Sequence, residues 1–351
     1  MGKLAVYKYF SFMLLVVTLI VSAFTLFGLF GGDSNPVTST MMAMLVYVLP
    51  FLVLANIVML IVWIVRRRWH WCAIPAVTLL CCIPYIGTIY QPGLFGSNSE
   101  VKGGVKVASY NVAVFGRELT GFKAEDILSE MRRQKVEVLC LQEYMEMSGD
   151  KNNTKSYLDY FGNMAQGRDD MVIFSRFPVR DSGIIDFGAT NNSGMWADID
   201  VNGRTIRVFN VHLETTGFNR TMRQMAKLQM KGSNIEDNAI IRAIYNNYTY
   251  GMIVRAGQAN KVAMEVRKSE LPVILCGDFN DVPYSYTYNT LKEGLVDGFK
   301  ECGSGFMSTY RGAKQFRIDY IFHDESLKGE NYYKLDLSYS DHCPVFLKIA
   351  F

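Results

Sequence analysis

The residues best suited to chemistry in this chain stand where apolar runs stop. Gly277-Asp278-Phe279-Asn280-Asp281 directly follows the apolar run 271–276, and Ser340-Asp341-His342 answers it near the C-terminus. A carboxylate and an amide closing one strand, with a second carboxylate beside a histidine in a later loop, supply what metal-assisted attack of water on phosphorus requires. Other polar residues occupy similar places. Asn111 falls in a strand pattern, Glu143 follows Leu139-Cys140-Leu141-Gln142, His212 sits in Asn210-Val211-His212-Leu213-Glu214, and Asp319 lies in Arg317-Ile318-Asp319-Tyr320. Burying an unpaired carboxylate is costly, so several polar groups at the ends of apolar strands are most economically explained by convergence on a metal and an anion.

The elements that must carry these residues alternate between strand and helix from residue 105 onward. Segments 105–114, 136–141, 171–174, 196–201, 205–213, 272–276, 318–322 and 344–349 read as strands. The pair 196–201 and 205–213 is joined across Asn202-Gly203, a strong hairpin signal. Ala124, Ile127, Leu128 and Met131 recur at helical spacing, as do Ala259, Val262, Ala263 and Val266. Hairpins mixed with helical crossovers predict an α/β fold, a two-sheet sandwich with helices outside.

The first ninety residues are of another kind. Hydrophobic residues make up 50% of the chain and the mean hydropathy is +0.09, and the excess is concentrated in apolar stretches at about 10–30, 41–65 and 70–90. Each is long enough to cross a hydrocarbon core about 30 Å thick, so a membrane anchor of three transmembrane helices is expected over 1–92, a Gly/Ser/Asn linker over 93–104 and a catalytic domain over 105–351. Lys3 and Lys8 precede the first stretch and Arg66-Arg67-Arg68 follow the second, which puts the N-terminus in the cytoplasm. Three crossings then carry the catalytic domain to the extracytoplasmic side, the periplasm in a Gram-negative bacterium. Once the five basic and two acidic residues of the first hundred are set aside, the remainder is formally neutral. A duplex-binding protein usually shows a basic footprint instead. No Cys/His spacing suggests zinc, and Cys302 with Cys343 is the only plausible disulfide.

With these motifs in this order, residues 105–351 resemble the endonuclease/exonuclease/phosphatase superfamily of DNase I-like metal-dependent phosphoesterases. The resemblance implies roles position by position. Glu143 would bind Mg²⁺, with Mn²⁺ a possible substitute, while Asn111 and Asp341 would complete the surroundings of the metal. Asp278 would orient and deprotonate the attacking water, and Asn280 would steady the phosphate or that water. His342, oriented by Asp319, would donate to the phosphoryl oxygens, and His212 would stabilise developing charge or protonate the leaving oxygen. The resemblance also implies a phosphate-ester substrate. Val112-Ala113 after Asn111 lacks the aspartate of abasic-site endonucleases, which argues against DNA repair and leaves phospholipid, nucleotide or nucleic acid as substrate classes.

Several residues keep two readings. Asn210 either joins the site or satisfies neighbouring backbone, and Arg176 either binds phosphate or forms a surface ion pair. The segment 215–250 is either a helical cover for the sheet or a flap facing substrate or membrane. His70, His323 and Glu146 have no motif context. The competing function is a non-catalytic membrane receptor that binds a phosphorylated ligand; its mark would be an eroded catalytic set, and no expected carboxylate or histidine is missing. Beyond the lipid bilayer and the substrate, no protein partner is implied.

Overall fold

A computed structural model describes residues 3–93, 104–113, 124–144, 152–168, 170–188, 190, 192–217, 225, 227, 230, 237–311 and 316–350. Most of the expected linker, Glu146 and much of 215–236 lie outside them. The chain divides into two compact units, residues 1–88 with 284–289, and residues 89–283 with 290–351.

In the larger unit the buried, β-branched runs pair into two six-stranded sheets. One has the order β13-β14-β2-β3-β5-β4, from β2 (Val105–Asn111), β3 (Val138–Gln142), β4 (Asn163–Gln166), β5 (Met171–Ser175), β13 (Lys328–Lys334) and β14 (Val345–Ala350). The other has the order β10-β12-β9-β8-β7-β6, from β6 (Val179–Ile185), β7 (Gly194–Val201), β8 (Arg204–His212), β9 (Val273–Asp278), β10 (Leu295–Asp297) and β12 (Asp319–Asp324). A short pair, β1 (Tyr90–Gln91) with β11 (Gly305–Phe306), stands apart from both. Alternate side chains from the two sheets, among them Val107, Cys140 and Ile173 from one and Ala197, Val208 and Ile274 from the other, bury one core. The outer face of the first sheet is covered by α6 (Ala124–Arg133) and α7 (Asn152–Phe161) through Ile127, Met131, Tyr157 and Phe161. The architecture is therefore the two-sheet α/β sandwich expected.

Two parallel pairings fix where the polar strand ends fall. Strands β2 and β3 run parallel with Asn111 opposite Gln142, and β8 and β9 run parallel with His212 opposite Asp278. The β7–β8 hairpin turns on Asn202 and Gly203 with φ of 54° and 90°, the left-handed pair such a two-residue turn requires. The helix expected around 259–266 is longer, running as α8 from Asp237 to Arg267, and is followed by α9 (Tyr286–Lys292) and α10 (Gly298–Cys302).

In the smaller unit, α1 (Lys3–Gly31) is followed by α2 (Thr40–Met44) and α3 (Leu49–Val65), then α4 (Trp69–Cys81) and α5 (Ile83–Ile89). Two spans, Val6–Gly31 and Thr40–Val65, are long and apolar enough to cross a membrane. The third expected span corrects to a bent pair: α4 and α5 meet at 51°, and they count as a crossing only if taken together. Pro84 stands just past this break and has no N–H for the helical ladder, in line with a bend there. A polar seam ties α1 to α3. Ser22 Oγ donates to Asn56 Oδ1 at 2.8 Å, Asn56 Nδ2 donates to Thr25 Oγ1 at 2.7 Å, and Trp63 Nε1 donates to Thr18 Oγ1 at 3.0 Å. In apolar helices such bonds fix register more than they drive association. All seven cysteines are free thiols, Cys302 and Cys343 among them.

Candidate active site

The two parallel pairings and the antiparallel pairing of β9 with β12, which sets Asp319 opposite Asp278, line up the strand ends, and the packing of the sheets brings Asn111 and Glu143 to His212, Asp278 and Asp319. Asn111 is the bridge: its Nδ2 donates at 3.0 Å to Glu143 Oε1 and at 3.0 Å to Asp278 Oδ2. Its Oδ1 accepts from Ala113 N–H at 3.0 Å, which holds the amide in that sense. Ser340 Oγ donates to the Asn111 carbonyl at 2.8 Å and accepts from His342 N–H at 3.1 Å, so the loop carrying Asp341 and His342 is stitched to the same strand end.

Asp278, 1% exposed, is the hub. Its Oδ1 accepts from Asn280 N–H at 2.8 Å, and the Asn280 side-chain amide reaches Leu213 O at 2.9 Å and Asp278 Oδ2 at 3.3 Å. Both histidines present Nε2 to Asp278 Oδ2, His342 at 3.7 Å and His212 at 3.9 Å. Behind each ring stands a carboxylate. His342 Nδ1 meets Asp319 Oδ2 at 3.0 Å, and His212 Nδ1 meets Asp170 Oδ2 at 3.2 Å. A carboxylate on Nδ1 sets the tautomer and ring orientation, leaving Nε2 for chemistry.

The electrostatics follow from this packing. Burial pushes the Asp278 carboxyl up to about 6, with Asp319 adding repulsion against the opposing pull of the two histidines and the Asn280 N–H. Burial would lower His342, but Asp319 and Asp278 outweigh it and hold the imidazolium up to about 10. His212 is likewise raised against its burial, by Asp170, Asp278 and Glu143.

Three non-glycine residues of this region adopt left-handed backbone: Ala113 at φ 43°, Glu143 at φ 52° and Asn280 at φ 51°. Asparagine tolerates that region; for glutamate and alanine it is strained, at about 1–3 kcal/mol each. Strain collected around one cluster of polar groups is the pattern of a site built for geometry.

The donor set suits a hard divalent cation. Glu143, Asp170, Asp278 and Asp319 surround two histidines, and among the described residues none of these carboxylates pairs with Lys or Arg. Oxygen ligands in excess of positive charge favour such hard cations over softer ions. Asp278, Asp319 and His342 offer atoms within 4.8 Å of one another, a spacing a metal tolerates. Asp319 and His342 are already bonded to each other and buried, however, whereas the Glu143 side chain is 37% exposed and keeps room for a hydrated ion. Asp341 makes no contact with Asp278 or Glu143 among those described; it takes a weak 3.5 Å bond from Ser340 Oγ and acts on His342 through its charge.

Sequence reasoning left out Asp170. Its position, a polar residue opening the apolar strand β5, was the available signal, and Ser193 Oγ holds it from behind at 3.2 Å. Asn210 resolves toward structure: fully buried, it donates to Leu141 O at 2.9 Å and Val172 O at 3.1 Å, and its Oδ1 accepts from Gln142 Nε2 at 2.6 Å, clasping the two sheets beneath the site. Arg176 lies over the Tyr160 ring at 5.5 Å, away from these groups. His323 is occupied by Glu301 at 2.8 Å.

The model of the Endonuclease/Exonuclease/phosphatase family matches residues 108–342, and a domain of unknown function (DUF8431) matches residues 11–89. No curated protein sequence matches significantly. Among solved structures, a humanized TDP2 from D. rerio aligns with a TM-score of 0.52 at 17% identity, covering 71% of this chain and 100% of that one. The human Nocturnin catalytic domain with bound sulfate aligns at 0.51 and 19% identity, covering 71% and 94%. An endonuclease/exonuclease/phosphatase from Beutenbergia cavernae gives 0.51 and 16%, covering 71% and 72%. At these identities the likeness is one of fold.

Proposed function

From the premise that the chain belongs to the Endonuclease/Exonuclease/phosphatase family, whose members are metal-dependent hydrolases of phosphate esters, we propose that it is a membrane-anchored, Mg²⁺-dependent phosphodiesterase using the Asp278 site. The observation that carries the reading is the Asp278 carboxylate facing two imidazole Nε2 atoms, each ring backed by its own carboxylate. Asp278, ionised above about pH 6, takes the proton of the attacking water, and Asn280 holds that carboxylate and the water in line. His342, kept protonated by Asp319 and Asp278, donates to the non-bridging oxygens as charge builds on them. His212, raised by Asp170, protonates the leaving oxygen. Glu143 would hold Mg²⁺, with Asn111 and Asp341 around it, and the bound ion would neutralise phosphate charge.

The substrate we propose is a phosphodiester, a phospholipid or its headgroup or a nucleic acid; the apolar helices favour a site working at a bilayer, and the neutral balance after residue 100 argues mildly against bulk nucleic-acid binding. We further propose that the bent pair α4–α5 completes a third crossing and places the site on the extracytoplasmic side. Hydrolysis of bis-(p-nitrophenyl) phosphate with Mg²⁺ tests the site. Asp278→Ala and His342→Ala are expected to lower kcat about 10²–10⁴-fold, and Asp170→Ala, which acts through His212, about 10–100-fold. Unchanged rates in Asp278→Ala or His342→Ala would sink the assignment.

A further inference from the structure

One face of α8 grips the chain just beyond His212. Gly251, Arg255 and Gln258 stand at i, i+4 and i+7, a single helical stripe. At Gly251 a Cβ would lie 2.6 Å from the Thr215 carbonyl oxygen, so the absence of a side chain permits the approach. Arg255, 0% exposed, donates from Nη1 to the Glu214 carbonyl at 2.8 Å and from Nε to Asp281 Oδ2 at 3.0 Å. Gln258 Oε1 accepts from the Glu214 N–H at 2.7 Å. Both polar backbone atoms of Glu214 are thus held by the helix.

The peptide unit joining Leu213 to Glu214 is rigid and planar, with its C=O and N–H pointing in opposite directions. Its N–H goes to Gln258, and its C=O accepts the Asn280 side-chain amide at 2.9 Å and the Asn192 amide at 3.1 Å. Turning that plane at the Gln258 end therefore turns the acceptor that orients Asn280. Arg255 fixes the next carbonyl and, through Asp281, the residue following Asn280 in the chain. A buried ion pair is a weak source of net stability compared with an apolar pair, so the geometry it fixes is the better account of Arg255.

We infer that Arg255 and Gln258 are positioning residues: through the Leu213–Glu214 peptide and Asp281 they set the side chain of Asn280 against Asp278. Neither touches the reacting groups. The inference rests on the phosphoesterase reading above, and the experiment separates the two. The full-length chain in detergent is assayed with bis-(p-nitrophenyl) phosphate and Mg²⁺ as wild type, Asp278→Ala, Gln258→Met, Gln258→Glu and Gly251→Ala. Gln258→Met keeps the length but loses the acceptor, Gln258→Glu restores it, and Gly251→Ala displaces the adjoining backbone at Thr215 without removing a hydrogen bond. A misplacement of about 1 Å can cost about 10²-fold in rate. The expectation is about a 10-fold fall in kcat at unchanged KM for Gln258→Met and Gly251→Ala, with recovery to within about 3-fold in Gln258→Glu. The Asn280 side-chain amide resonances, read in the same variants by NMR, shift in the first two and return in the third. Folded Gln258→Met and Gly251→Ala with wild-type kcat and unmoved Asn280 resonances overturn the inference. So does loss of activity that only tracks loss of folded protein. If wild type is no more active than Asp278→Ala, the phosphoesterase reading fails, and the Asn280 resonances still decide the positioning role.

Discussion

Asp278 accepts from Asn111 and from both the backbone and the side chain of Asn280, and it still faces two imidazoles, so its state is set jointly by four residues. The clearest consequence concerns His342. Its folded pKa of about 10 stands above the ordinary value of 6.5, so the native state holds a proton that the unfolded chain releases between those values. Stability from this group is fully present below about 6.5 and is lost as pH rises through about 10. The metal-free protein is therefore expected to show a thermal midpoint that falls from pH 7 to pH 10, and His342→Gln should flatten the slope; a slope identical in the variant would refute the ion-pair account. At this scale Asp278, Asn280, Glu143, His212, Asp319 and His342, which the structure brings together, could be singled out because each interrupts or closes an apolar run. Asp170 was less so: a polar residue opening a strand is common, and only the distance to His212 distinguishes it.

Strands and their register turn scattered residues into a site. Gly277 illustrates the constraint. Its φ is 140°, and a Cβ there would sit 1.9 Å from the Val211 carbonyl, on the strand that carries His212. Gly203, also at positive φ, has open space around it. Urea unfolding is thus expected to show Gly277→Ala destabilised by about 3 kcal/mol or more, against about 1 kcal/mol for Gly203→Ala. Similar costs for the two would show that close packing of β8 on β9 is not what demands glycine. The central strands were readable from sequence because both faces are buried. Strands β6 and β13 were not, since edge strands with half-exposed polar residues carry little periodic signal.

For the whole chain, on the membrane-anchored reading proposed above, the side that the site faces depends on one element. Two crossings return the catalytic unit to the side of the N-terminus, and three deliver it to the other. Alkaline phosphatase fusions after Thr38, Arg68 and Gly93 are expected to be active, inactive and active, as three crossings require. An inactive fusion after Gly93 would mean that α4 and α5 enter and leave by the same face. Composition could not settle this, because a run of apolar residues looks alike whether it forms a straight span or a helix broken at 51°.

By itself the sequence determined the sandwich, because burial periodicity is a local property that residues display in order, and the order of its motifs carried the resemblance to the family; it also pointed to most of the polar groups that the structure gathers around Asp278. Only the tertiary structure decided that Asp170 serves His212, that Asn111 bridges Glu143 and Asp278, and that α8 holds the peptide orienting Asn280. Those relations join residues up to 167 positions apart. Hydrogen bonds that act over about 3 Å are fixed by how strands register and sheets pack, and no spacing along the chain encodes them.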